Sequence, residues 1–177
     1  MDKILPGIVM LLVALAVIAM LGVGWRNRVK RQADVQALEP LPEHLGDATL
    51  SVTGQYVATT SAGDWLDRIA VHSLGIRTLG ELHVYPGGIV IDRAGAPAIY
   101  ISSTKLTGVR TESGMAGKFV ANNGLTVISW WLGDKEVDTG FRVRVVQQRE
   151  QVLEAIAALI PNNILPAENS DEVSRGN

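Results

Sequence analysis

Residues Ile4 to Gly24, ILPGIVMLLVALAVIAMLGVG, form 21 consecutive positions without a charge. As a helix rising about 1.5 Å per residue, this run is roughly 31 Å long, the thickness of a bilayer's hydrocarbon core. Trp25, Arg26, Arg28, Lys30 and Arg31 follow at once. An interfacial aromatic and then clustered cations are how a membrane span ends. Pro6 falls in the first turn, where its missing N–H has no partner to lose.

Charge sets the expected orientation. Asp2 and Lys3 cancel ahead of the run, while the cations behind it stand together. The positive-inside rule then puts the N-terminus outside and the C-terminal part in the cytoplasm, as a single-pass plasma-membrane protein. The rival is a cleaved signal peptide, with Ala14-Leu15-Ala16 as an A-x-A site. A signal peptide wants a positive n-region and a short apolar core, whereas this n-region is nearly neutral and the apolar run continues past the site.

The chain has 177 residues and no cysteine. That length suits one span plus one domain of about 110 residues. Without cysteine there are no disulfides, thiolate metal sites or cysteine nucleophiles. Residues 1–31 carry a net charge of +4 and the remainder −6. A net acidic domain is a poor nucleic-acid binder, so the expected partners are the lipid bilayer and other membrane proteins. The cations at 26–31 suit lipid phosphates, at about 1 kcal/mol each, but a pure topology signal is the plainer and favoured account of them.

Residues 32–47, with Pro40, Pro42 and Gly46, read as a linker. From Ala48 to residue 162 the pattern is short extended segments with turns between them. Ser51–Thr60, Arg68–His72, Thr78–Tyr85, Ile89–Ile91, Ala98–Ser102 and Lys105–Thr111 read as strands. Lys118–Ala121 and Leu125–Leu132 flank Asn122-Asn123-Gly124, a strong hairpin signal. After Gly133-Asp134-Lys135 the residues alternate. Val137, Thr139, Phe141, Val143 and Val145 face one way, and Glu136, Asp138, Arg142 and Arg144 the other, as on a half-buried strand. The period then changes to helical over Gln147–Ile160, with Val152, Leu153, Ile156, Leu159 and Ile160 on one stripe. Residues 163–177 are polar and read as a disordered tail. The expected fold is therefore mainly β: a seven-stranded sandwich or partly open barrel capped by a C-terminal amphipathic helix, with an N-terminal transmembrane helix.

Several stretches also resemble small single-pass actinobacterial membrane proteins that carry a bacterial PH-like domain. They are Tyr56–Thr60, Gly63–Ile69, Leu74–Arg77, Ala116–Lys118 and Asp138–Arg142. The resemblance implies a PH-like fold and membrane anchorage. It brings no catalytic residue with it, and a shared fold does not transfer phosphoinositide binding. Some members are loosely described as exporters, so an accessory role in transport is an alternative.

Four constellations invite a functional reading. Asp64, Asp67 and His72 could form a metal or acid–base site; the plainer account has Asp64 capping a turn, Asp67 paired with arginine and Trp65 in the core. Histidines 44, 72 and 83 lack metal-ligand spacing, and no cofactor is called for. Gly114–Lys118 has the look of a phosphate loop, but Glu112 stands where the first glycine should be and Phe119 where Ser or Thr should. Lys105, Arg110 and Lys118 could make a small basic mouth for an anion or a lipid headgroup. Trp130 and Trp131 are adjacent on one strand and so face opposite sides. With both faces apolar, either the strand is covered twice or one tryptophan is left for a partner. Taken together, the expectation is a membrane-anchored, non-enzymatic interaction module.

Overall fold

The computed structural model describes residues 4–31, 35–115, 118–119 and 124–161. The expected tail at 163–177 and most of the Asn122-Asn123-Gly124 turn lie outside these residues, as do the side chains of Trp25, Arg26, Arg28, Lys30, Arg31 and Lys118.

Helix α1 (Ile4–Arg31) contains the apolar run. Its Gly7–Gly24 stretch has a mean hydropathy of 2.7 and no buried residue. A core helix of a soluble domain hides one side; this one exposes leucines, valines and methionines all round, which makes it a candidate membrane span.

The body is one antiparallel sheet that does not close. Its strands are β1 (Leu50–Ser61), β2 (Asp64–Arg68), β3 (Thr78–Tyr85), β4 (Gly88–Arg93), β5 (Ala96–Ser102), β6 (Leu106–Glu112), β9 (Leu125–Leu132) and β10 (Lys135–Val143). Seven follow the order β5-β4-β3-β1-β10-β9-β6, and β2 pairs with β1 off that path. A separate two-stranded piece joins β7 (Gly114–Met115) to β8 (Lys118–Phe119). This is the expected mainly β architecture with a C-terminal helix.

Strand β1 holds the two halves together. Its first part, Leu50–Tyr56, pairs with β3, and its second part, from Gly54 to Ser61, pairs with β10. The register slips between Tyr56 and Ala58. Such a bulge bends a strand and lets the sheet roll over its own core. The core comprises Val52, Tyr56, Leu82, Ile89, Ile91, Ile99, Ile101, Leu106, Ile128, Trp130, Val137 and Phe141 among others.

Helix α2 (Gln148–Ala157) lies against β6 and β1 and buries Val152 and Ile156. Ala155, Leu159 and Ile160 pack partly against the same core. Fully burying the two leading aliphatics contributes about 1.5–3 kcal/mol each before entropy is subtracted. The helix ends three residues earlier than its stripe suggested. Leu159 and Ile160 donate to the Ile156 and Ala157 carbonyls in tighter turns, so they reach the core without belonging to the helix.

Three expectations are corrected. The strand expected at Arg68–His72 is β2, four residues earlier, and His72 and Ser73 take positive φ angles of 55° and 58°. Leu125–Leu132 does not pair with the segment at 118; β9 pairs with β6 and β10, and β8 pairs with β7. Trp65 is not in the core but 45 % exposed.

The stretch that reads as a linker makes contacts with the body. Val35 and Leu38 pack against the core, Lys105 forms an ion pair with Glu39, and His72 Nε2 donates to the Val35 carbonyl at 3.1 Å.

Candidate functional site

The tryptophan pair divides as strand parity requires. Trp130 points inward and is 2 % exposed, whereas Trp131 on the outer face is 41 % exposed. Trp130 is therefore not a partner surface, and Trp131 is the member of the pair that another molecule can reach. Residues Leu125–Trp130 are buried on both sides of the strand.

Trp130 instead starts a buried hydrogen-bonded chain. Its Nε1 lies 2.9 Å from Thr139 Oγ1, which is 2.8 Å from Thr59 Oγ1. Thr59 Oγ1 is 2.8 Å from the Tyr56 hydroxyl, and that hydroxyl is 2.6 Å from the Leu74 carbonyl. An indole nitrogen only donates and a carbonyl only accepts. The ends therefore fix the direction: each hydroxyl donates toward Leu74 and accepts from the Trp130 side. Every group in the chain is satisfied, as a buried polar group must be. Burial pushes the Tyr56 hydroxyl up to about 12, although its bond with Thr59 and the nearby Arg93 and Arg68 charges oppose this.

Arg93 crosses the same region. Its guanidinium carbon lies 4.9 Å from the centre of the Tyr56 ring, and Nη1 donates to the Ser73 carbonyl at 2.7 Å. Ser73 is one of the two non-glycine residues, among those described, held at positive φ. Such a conformation costs a non-glycine residue about 1–2 kcal/mol, so it needs an external hold.

Two of the three cations of the expected basic mouth, Lys105 and Arg110, are engaged within the chain, and the Lys118 side chain lies outside the described residues. Lys105 is engaged by Glu39. Arg110 makes a two-pronged contact with Asp138, at 2.8 and 3.2 Å, reaches Ser129 Oγ at 2.7 Å, and sends Nε to Glu112 at 3.0 Å. Ser129 also donates to Asp138 at 2.6 Å. Burial alone would raise the Asp138 carboxyl, but the Arg110 and Ser129 hydrogen bonds, the Arg110 charge and the Gly63 N–H together outweigh it and hold it below the usual carboxylate range. The Asp138 hydrogen bond in turn raises Arg110. To bind a phosphate, Arg110 would have to leave a carboxylate whose side chain is only 6 % exposed.

This cluster predicts an acid-sensitive hold on the outer sheet face. Asp138 has a depressed folded pKa, so its contribution is full above about pH 4 and is lost as pH falls further. Asp138→Asn should cost about 2–3 kcal/mol at pH 7, the worth of a charged hydrogen-bonded pair with one exposed partner. The wild-type advantage should shrink progressively as pH is lowered below about 4 in urea titrations. Equal stability of the two proteins at pH 7 would show that the cluster holds nothing.

The acid–base candidates are engaged as well. Asp64 Oδ1 accepts from the Leu66 and Asp67 amides at 3.0 and 3.2 Å, which is a turn cap. Asp67 accepts from Ser61 Oγ and lies 3.8 Å from Lys135 Nζ. His72 faces the Val35 carbonyl. Among the described residues no group of three or more His, Asp or Glu could hold a metal ion.

A groove of about 390 Å³ that the sequence did not point to runs beside Gly54 at the other end of β10. It is lined by Leu79, Val146, Arg142, Arg144 and Arg149. The alternation of β10 had turned Arg142 and Arg144 outward; only the fold brings Arg149 to them.

These features sit on a recognisable frame. The family model of the bacterial PH domain-like proteins matches residues 35–157. The chain belongs to that family. The match starts where Val35 docks on the body and ends with α2. No curated protein matches. Among solved structures, the C-terminal domain of an unknown protein from Leishmania infantum is 15 % identical, with 64 % of this chain and 83 % of that one covered and a TM-score of 0.39. A chain of the 8S snRNP assembly intermediate is 9 % identical over 76 % of this chain and 95 % of that one, with a TM-score of 0.44. Vav1 inhibited by an allosteric inhibitor is 15 % identical over 80 % of this chain, which spans 33 % of that one, with a TM-score of 0.40.

Proposed function

We propose that the chain is a non-enzymatic interaction module held at the plasma membrane by α1, with its PH-like body on the cytoplasmic side. One observation carries this reading. The groups suited to acid–base or anion chemistry, Asp64, Asp67, His72, Lys105 and Arg110, all make contacts within the chain, while Trp131 stands half-exposed on the outer sheet face. A solvent-reachable indole on a rigid strand is a good anchor for a partner. Anchoring raises the effective concentration of membrane partners, so weak contacts become populated.

Trp131→Ala should leave folding within about 0.5 kcal/mol of wild type, as for a surface substitution. It should weaken partner capture by about 30-fold if Trp131 contributes 2 kcal/mol, the threshold of an interface hot spot. Crosslinking in intact membranes followed by purification measures this, and unchanged recovery would discard the surface.

A second reading, anion binding, draws support from the groove rather than from the expected mouth. Arg142 and Arg144 have no ion-pair partner among the described residues, and they sit beside Leu79 and Val146 in a concave site. An acidic segment with an apolar residue would suit it. Arg144→Glu in the same crosslinking experiment separates the readings, because it should spare Trp131-dependent products. An accessory role in export would require a partner with further spans, since one helix cannot enclose a pore. That partner would appear among the crosslinked products.

A further inference from the structure

The chain meets the body at one rim of the sheet. Val35 is held by His72, and Gln36 lies against Gly133 in the turn between β9 and β10. Helix α1 ends at Arg31. Four steps along the chain, from residue 31 to residue 35, reach at most about 14 Å, and the seven helical residues beyond Gly24 add about 10 Å, so the whole reach is about 25 Å. If α1 crosses a bilayer, this rim is held near its surface.

The same rim exposes large apolar residues. Leu66 and Trp65 on β2 are 58 % and 45 % exposed, and Ile76, just ahead of β3, is 57 % exposed. Among the described residues, strand β2 pairs with β1 alone, off the main path of the sheet. The charges nearby almost balance: Arg68, Arg77 and Lys135 against Asp64, Asp67, Asp134 and Glu136. Exposed apolar side chains that include an indole, on a rim of little net charge, suit the boundary between headgroups and acyl chains. A folded partner does not fit between. Even a domain of about 100 residues has a radius of gyration near 13 Å, and its full width exceeds the reach of the chain.

We infer that the rim bearing Trp65, Leu66 and Ile76 rests on the bilayer surface as a second, apolar membrane contact that needs no anionic headgroup. The inference depends on α1 being a membrane span. It leaves Trp131 on the flank at membrane level, where a membrane partner can reach it. It turns the arginine-lined groove away from the lipid, because the nine residues of β10 separate the two ends by roughly 30 Å.

The absence of native cysteine makes single thiol labels specific. Leu66→Cys, Val146→Cys and Val17→Cys are each labelled with a small fluorophore in the full chain and reconstituted in phosphatidylcholine vesicles. Nitroxide-bearing phosphatidylcholines then quench from shallow or deep positions. The Leu66→Cys label should be quenched by shallow nitroxides several-fold more than the Val146→Cys label, and admixed phosphatidylglycerol should change this less than twofold. The Val17→Cys label should be quenched by deep nitroxides. If the Val17 label is quenched but the Leu66 label is quenched no more than the Val146 label, the rim contact is overturned while the span stands. If the Val17 label is not quenched, the span reading fails and this inference falls with it. Quenching at Leu66 that appears only with phosphatidylglycerol would mean recognition of charge, and would overturn the apolar contact.

Discussion

Tyr56→Ala should cost the body about 4–6 kcal/mol, combining loss of a fully buried aromatic with a stranded polar chain. Net stabilities are about 5–15 kcal/mol, so this variant should be at the edge of folding. The Tyr56 ring lies in the core beneath Arg93, and its hydroxyl links Thr59 to the Leu74 carbonyl. Tyr56→Phe keeps the ring and removes only the link. It should cost about 1–3 kcal/mol, because the Thr59 hydroxyl loses its acceptor and the Leu74 carbonyl keeps only the Thr59 N–H of its two donors. Thermal melts of the three proteins in the same detergent would separate the two contributions. Near-identical melting of Tyr56→Phe and wild type would mean that the hydrogen-bonded chain adds no stability. The pH dependence follows from the same burial. With a folded pKa near 12 against an ordinary 10.0, the proton is held more tightly in the folded state. This contribution is full below about pH 10 and fades as pH rises toward 12, the reverse of the Asp138 behaviour.

Gly80→Ala should be nearly as damaging for a purely steric reason. A Cβ at this position would sit 2.1 Å from the Asp92 carbonyl oxygen. Gly54, its partner in register on β1, is equally tight, with a Cβ 2.4 Å from the Arg142 carbonyl oxygen. Both obstacles are backbone of neighbouring strands and cannot rotate away. The sheet would have to separate, between β3 and β4 at Gly80 or between β1 and β10 at Gly54, at a cost of about 3 kcal/mol or more. For a domain of this size that is a fall in melting temperature of at least about 12 °C. Gly87→Ala is the control, because nothing lies within 4 Å of its Cβ and its φ is not positive. If the two variants melt within about 2 °C of each other, the close approach does not constrain the sheet.

What the residues revealed in advance depended on whether local pattern or distant pairing decided the outcome. Strand β10 was legible because Val137, Thr139, Phe141 and Val143 alternate with polar residues, and a period of two is local information. Asp138 was not, because its burial depends on Arg110 arriving from β6 across β9, which sequence spacing does not encode. Asn122-Asn123-Gly124 is a strong turn signal, but a turn does not choose the partner of a strand that is apolar on both faces. The parity of Trp130 and Trp131 was plain, while which of them faces inward was set by the register with Val137 and Glu136. Strand β2 was misplaced because Asp64-Trp65-Leu66-Asp67 lacks the burial pattern of a core strand. Pairing with β1 and the Asp64 cap hold it, not a buried face.

The docking of residues 35–39 has a practical consequence for anyone cutting the membrane segment away. A soluble fragment begun at residue 48 would leave an oily strip bare where Val35 and Leu38 had lain, and Lys105 would lose its counter-ion. Such a fragment should clump during purification. One begun at residue 35 carries its own cover and should remain dispersed.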